Sequence, residues 1–246
     1  MTGRAPLGRM LAAQTRAELT MTLRNGEQVL LTLVIPVGLL VTLTLVPFVT
    51  LPGHDRVGFF LPGVLALAVM SSAFTGQAIA VGFERQYGVL KRLGATPLPR
   101  AVLLGAKTLA VLAVELLQVG LLGLTGFALG WHPHGSDLAV AALLGLGVAA
   151  FSGLGLLLGG TVRGLTALAA ANLLWFVLLV LGGVLFPLSR LGGAEPALSL
   201  LPTAALSHGL RAVLLDGAAL PGRDAAALAG WAVVALGAAV RAFRWE

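Results

Sequence analysis

The side chains able to do chemistry are few and far apart along the 246 residues. Glu115, with Gln118 about one helical turn on, stands inside a long apolar run. An ionisable group there is costly and marks a substrate path or a proton relay, unless it is a packing residue hydrogen-bonded to a neighbouring helix. His132 and His134 flank a proline, and two imidazoles at that spacing fall short of a zinc site, so no metal ligands are assigned. The absence of cysteine removes disulfides, thiolate ligands and thiol nucleophiles together. There is no HExxH helix, no nucleophile elbow around Ser152 and no Asp/Glu pair at catalytic spacing. Gly105-Ala106-Lys107-Thr108 looks like the end of a phosphate-binding loop, but it lacks the glycine directly before the lysine and runs into an apolar stretch. This chain is therefore expected not to be an enzyme and not to hydrolyse ATP.

The densest charged run is residues 83–100, where Glu84, Arg85, Lys91 and Arg92 fall within nine residues. On a helical wheel Phe83, Tyr87, Leu90 and Leu93 share one side and the four charges take the other, the periodicity of an amphipathic helix. Glu84 near its start and Lys91 and Arg92 near its end suit the helix dipole, and Gly94, Pro97 and Pro99 stop it. A short surface helix between two apolar runs is expected.

These elements must be held by a membrane. With 58% hydrophobic and 11% charged residues and a mean hydropathy of +0.97, the composition lies outside that of soluble domains. The net charge of +6 would suggest nucleic acid in a soluble protein, but the basic residues cluster beside apolar runs, so lipid headgroups and orientation explain them and no nucleic-acid partner is expected. Six stretches approach the roughly 20 apolar residues that cross a bilayer: 29–49, 57–82, 101–129, 138–160, 165–186 and 225–240. The last is short and Ala-rich, with Arg241 and Arg244 able to snorkel and Phe243 and Trp245 able to anchor at the headgroups. Residues 1–28 have arginines spread through them and no continuous apolar core, so they read as an interfacial amphipathic helix rather than a signal peptide. Twelve of the sixteen Lys and Arg fall on one side, which puts both termini and the 83–100 loop in the cytoplasm.

Residues 187–224, facing outward, are too apolar for a plain loop. Leu206, Leu210, Val213 and Leu214 form one face of a helix dipping into the outer leaflet, with Ser207 and Arg211 outside that face. Gly126 and Gly130, and Gly155 and Gly159, make GxxxG pairs that signal close helix packing. The hydroxyls of Ser71, Ser72 and Thr75 read as glue between helices.

Glu84-Arg85-x-x-Gly88-x-Leu90-x-x-Leu93-x-x-Thr96-Pro97 resembles the loop after the second span of ABC-2 type transporter permeases, which export drugs, lipids and polysaccharides. Residues 201–214, the Gly182-Gly183-Val184-Leu185-Phe186-Pro187 stretch after Asn172, and Arg241-Ala242-Phe243-Arg244-Trp245 are similar to later parts of the same family, in order. The resemblance implies a single all-α transmembrane domain over 1–246 and a coupling helix that docks on a separate P-loop ATPase through Glu84, Arg85, Gly88, Leu90, Leu93, Thr96 and Pro97. It also implies pairing with a second copy or a sister permease, with ATP and Mg in the partner subunit and no cofactor in this chain. Glu115 and Gln118 are the candidates for a translocation path that takes an amphipathic drug-like compound or a lipid, polysaccharide being the alternative. A proton-coupled secondary transporter using Glu115 and a lipid-organising scaffold are the competing classes.

Overall fold

The computed structural model describes residues 5–46, 55–132, 134–184, 193 and 195–245, and the described residues are helical with no strand. Helix α1 (Leu7–Arg24) is followed at Asn25 by α2 (Gly26–Leu45), whose apolar part is Thr32–Leu45. Asp55 caps α3 (Arg56–Val69) by accepting from the amides of Val57 and Gly58, both at 3.2 Å. The chain continues through a π-helical stretch, Met70–Gly76, into α4 (Gln77–Gln86), so that Arg56–Gln86 is one apolar helix of 31 residues. There follow α5 (Val89–Gly94), α6 (Arg100–Ala128), α7 (Asp137–Thr161), α8 (Gly164–Leu181), α9 (Glu195–Leu198), α10 (Pro202–Leu214) and α11 (Gly222–Ala242). Among the described residues five helices are long and apolar enough to cross a bilayer and α2 is a shorter sixth, which makes this an all-α polytopic integral membrane protein. The expected span ends at 47–49 and 185–186, with Phe186-Pro187 of the family motif, lie outside the described residues.

Helix α7 lies at the centre, with α11, α4, the π-helical stretch and α10 against it. Glycine makes that possible: a Cβ on Gly155 would stand 2.7 Å from the Phe74 carbonyl, and one on Gly153 would stand 2.7 Å from the Leu236 amide. The Gly155/Gly159 pair thus packs helices. Of the Gly126/Gly130 pair only Gly126 packs, a Cβ on it standing 3.2 Å from the Leu61 side chain of α3, because Gly130 (φ 90°) leaves the helix and ends α6, the Trp131 N–H donating back to the Gly126 carbonyl at 2.9 Å.

Helix α10 carries the expected apolar face, with Leu206, Leu210, Val213 and Leu214 buried against α3, α7 and α11. Its polar residues correct the expectation. Ser207 is only 1% exposed and donates to the Gly182 carbonyl at 3.0 Å. Arg211 reaches inward to the Gly183 carbonyl at 2.6 Å and to that of Val184, its guanidinium 4.6 Å from the centre of the Phe59 ring. The carbonyls left unpaired where α8 stops need donors, and a buried arginine with five N–H groups supplies them. Burial lowers the Arg211 pKa to about 10, which leaves it cationic at neutral pH.

His208 on the same helix sets Nδ1 2.7 Å from Asp224 Oδ2 at the start of α11. That hydrogen bond raises the imidazole pKa above its ordinary 6.5. The stability it contributes is therefore complete below that ordinary value and lost as pH rises through the folded one. The wild type should melt higher near pH 6 than near pH 8, and His208→Gln should narrow that gap by a few degrees at most, since an exposed pair is worth about 0.2–1 kcal/mol. Equal gaps in the two proteins would remove the assignment.

Candidate functional site

The charged run does not form a helix of its own. Residues 83–86 are the last turn of α4, and the chain breaks at Gly88, whose φ of 72° is left-handed and suits glycine. Only the six residues of α5 follow. The break rotates the two halves relative to each other, so a wheel drawn through 83–93 misplaces the charges: Glu84 and Arg85 turn inward, while Tyr87, placed on the apolar face, is 67% exposed.

Inward of α4 lies a charged triad. Lys107 Nζ, on α6, donates to Glu84 Oε1 at 2.7 Å and to Glu18 Oε2 of α1 at 2.9 Å, and Glu18 Oε1 accepts from Gln14 Nε2 at 2.9 Å. Lys107 is 5% exposed, so one ammonium ties three helices together in a setting of low dielectric. The phosphate-loop look-alike is thus the interior of a helix. Arg85, also buried, donates to the Gly160 carbonyl at 3.4 Å, to which the Arg244 backbone amide also bonds at 3.2 Å.

Beneath α5 sits a small core of its own. Leu90 is fully buried with Leu103, Leu104 and Phe243, and Gly94 lies so close to Trp245 that a Cβ would stand 2.9 Å from its ring. Trp245 in turn lies 5.9 Å from the Arg100 guanidinium. Phe243 and Trp245 therefore pack under α5 instead of anchoring at headgroups. Thr96 Oγ1 donates to the Leu93 carbonyl at 2.6 Å and closes the turn.

Beyond the triad a cavity of about 640 Å³ opens between α1, α2, the π-helical stretch, α4 and α6. Glu18, Glu84 and Lys107 line it together with Ser71, Gln77, Gln118 and Trp175, and the rest of the wall is mostly aliphatic. Trp175 Nε1 donates to Ser71 Oγ at 3.0 Å, and Gln118 Nε2 donates to the Thr32 carbonyl at 2.8 Å. Glu115 is 2% exposed and hydrogen-bonds the Ser72 hydroxyl.

Residues 10–215 match the family described as ABC-2 type transporter. The chain belongs to the ABC-2 type transporter family. It is a membrane-embedded permease component of an ABC transporter, a kind of protein that works with a separate ATP-binding subunit. No curated protein matches it at a significant level.

In this permease the residues expected to couple separate into two sets. Glu84, Arg85 and Leu90 face inward and hold the loop to the bundle, Gly88 makes the turn, Leu93 is half-buried, and Thr96 and Pro97 are exposed. The exposed part of α5 and its approach is formed by Tyr87, Val89, Lys91 and Arg92. Of the two path candidates, Gln118 lines the cavity, whereas Glu115 is absent from its lining and sits behind Ser72. Sequence reasoning missed Gln77, Glu18 and the triad. Glu18 lies among the polar residues of an amphipathic helix, and nothing local marks it as the partner of a lysine 89 residues away. Ser72 and Ser71 do bridge helices, through Glu115 and Trp175. His132 bonds the Gly130 carbonyl at 3.1 Å, and no three metal-ligating side chains converge among the described residues.

Proposed function

We propose that this permease is the transmembrane subunit of an ATP-driven exporter of the cytoplasmic membrane, with both termini cytoplasmic. Two permeases, identical or sisters, pair with two P-loop ATPases that bind ATP and Mg. The ATPase docks on the exposed side of α5, and the observation that supports this is where α5 is tied. Its root, Glu84, shares Lys107 with α1, and all three residues of that triad are also wall residues of the cavity. A push on α5 reaches the cavity wall through contacts only one side chain long, and the π-helical stretch in the same helix is the kind of irregularity at which helices bend. The substrate of such a cavity is amphipathic, drug-like or lipid-like.

ATP-dependent uptake of a lipophilic dye into inverted vesicles that hold the permease with its ATPase tests the reading. Uptake that needs both subunits supports export, and uptake by the permease alone driven by a proton gradient would favour a secondary transporter. Orientation is tested in the cysteine-free background by single cysteines at Ser136 and Arg163. An impermeant thiol reagent should label position 136 in intact cells and spare position 163, and labelling of position 163 from outside would invert the topology. Ser189, a natural third position for such a probe, lies outside the described residues.

The two path candidates now carry different expectations. Glu115→Gln keeps a hydrogen-bonding partner for Ser72 outside the cavity, so export should stay within about twofold of wild type across pH. Gln118→Leu removes a wall amide and should cut export about tenfold, the factor for a hydrogen bond of about 1.4 kcal/mol. A pH-dependent loss in Glu115→Gln with an unaffected Gln118→Leu would reverse the assignment.

A further inference from the structure

Four buried polar atoms on residues of the cavity wall have no hydrogen-bond partner: Gln77 Nε2 and Oε1, Gln118 Oε1 and Glu84 Oε2. Gln77 is 6% exposed and Gln118 is 2% exposed, and both line the cavity. Buried polar groups are normally paired, and a cluster of unpaired ones around a cavity points to a group that enters and pairs them. Gln77 supplies an NH2 with two N–H donors and one carbonyl acceptor whichever way its amide is turned, and the other two atoms are acceptors. Among the described residues the unpaired atoms of the wall are thus three acceptor oxygens and one donor nitrogen with two N–H groups.

Charge sharpens the choice. Among the described residues two carboxylates, Glu18 and Glu84, line the cavity against one ammonium, Lys107, and no arginine. Lys107 already serves both carboxylates, which leaves Glu84 Oε2 in excess. An anionic headgroup would find repulsion at that end, and a protonated amine would find a buried acceptor. Gln77 lies seven residues before Glu84 on α4, which brings it to nearly the same face about 10 Å along the helix. The volume of about 640 Å³ is that of a site for one small molecule, and the aliphatic wall between the two polar ends suits an apolar body.

We propose that this cavity binds an amphiphile whose polar end is a protonated amine held at Glu84, with a second hydrogen-bonding group held at Gln77 and Gln118. The proposal rests on the permease reading above and narrows its substrate class. Phosphate-headed and carboxylate-headed amphiphiles are excluded by the same charge balance.

The test uses the purified full-length permease in nanodiscs without any ATPase, titrated with N-(6-aminohexyl)-bromododecanamide and with its alcohol and carboxylate analogues. Bromine quenches tryptophan at short range, and the part of the quenching lost in Trp175→Phe reports the cavity. The amine should quench that part saturably and bind at least about tenfold tighter than the carboxylate, with the alcohol between them. Gln77→Leu should weaken the amine about fivefold or more, and Glu84→Gln should erase the preference for amine over alcohol. The headgroup comparison needs no variant, so a misfolded Glu84→Gln leaves the test intact. Equal binding of the three headgroups, quenching that rises without saturation, or an unchanged affinity in Gln77→Leu overturns the proposal. Because no ATPase is present, saturable amine binding without ATP-dependent export would sink the exporter reading alone. Export without cavity binding would sink this proposal alone.

Discussion

Lys107→Met should be the most damaging single substitution in the bundle. The ammonium it removes is 5% exposed and is the counter-ion of both Glu18 and Glu84, at 2.9 and 2.7 Å. Two carboxylates would then face one another inside the protein with no cation between them, and breaking a buried pair in this way costs about 3–5 kcal/mol. For a chain of this size such a loss corresponds to a fall in melting midpoint on the order of 10 °C. Removing all three charges is a different operation. In Glu18→Gln, Lys107→Met, Glu84→Gln the two amides keep hydrogen-bonding capacity and no charge is stranded, and a fully neutralised site is often no less stable than the ion pairs it replaces. The triple variant should therefore melt well above Lys107→Met while failing to couple, since the tie between α1, α4 and α6 is gone. Thermal unfolding of the detergent-purified proteins, followed by monodispersity, reads both effects. If Lys107→Met melts within a couple of degrees of wild type, the triad does not hold the three helices.

Why this triad was illegible while the spans were not is a matter of range. A span is a local property, twenty apolar residues whose hydropathy can be summed along the chain, and each of the six expected stretches corresponds to an apolar helix, the first of them short. The apolar face of α10 was legible for the same reason. The partner of a charge is not local. Lys107 falls within the expected span 101–129, and only the fold shows that it meets side chains 23 and 89 residues away. Arg211 and Ser207 misled in a related way, because polar residues on a helix surface read as outward facing. Here they face inward to feed the carbonyls that α8 leaves open at Gly182 and Gly183. Gly88 misled by conformation. A single glycine inside a helical pattern is ambiguous, and its left-handed φ of 72° turned one expected helix into the end of α4 and the separate α5. The family motif was legible throughout, because it depends on residue spacing alone.

That turn decides which residues a docking test must change. Glu84 and Arg85 carry the motif, yet substitution of either damages the bundle first, so a loss of transport in such variants says nothing about the ATPase. Tyr87, Val89, Lys91 and Arg92 are exposed instead, and Tyr87 stacks on Phe83 with ring centres 5.9 Å apart, held ready at low entropic cost. An exposed aromatic beside a basic pair is the composition of an interface centre, where truncation of a tyrosine commonly costs about 2 kcal/mol of binding, or roughly 30-fold. On the permease itself the same substitution removes little, since surface changes away from caps and cores stay within about 0.5 kcal/mol. Tyr87→Ala combined with Arg92→Glu should accordingly insert, melt and run on a sizing column like wild type. Its co-purification with the ATPase should fall at least 30-fold in apparent affinity, about 2 kcal/mol, and ATP-dependent export should be lost with it. Leu90→Asp makes the necessary contrast, because Leu90 is fully buried against Phe243 and Leu103, and an unpaired carboxylate there should lower the melting midpoint as well as binding. If Tyr87→Ala, Arg92→Glu binds its ATPase and exports at the wild-type rate, the exposed side of α5 is not the docking surface, and the ATPase must reach the permease elsewhere on that end of the bundle.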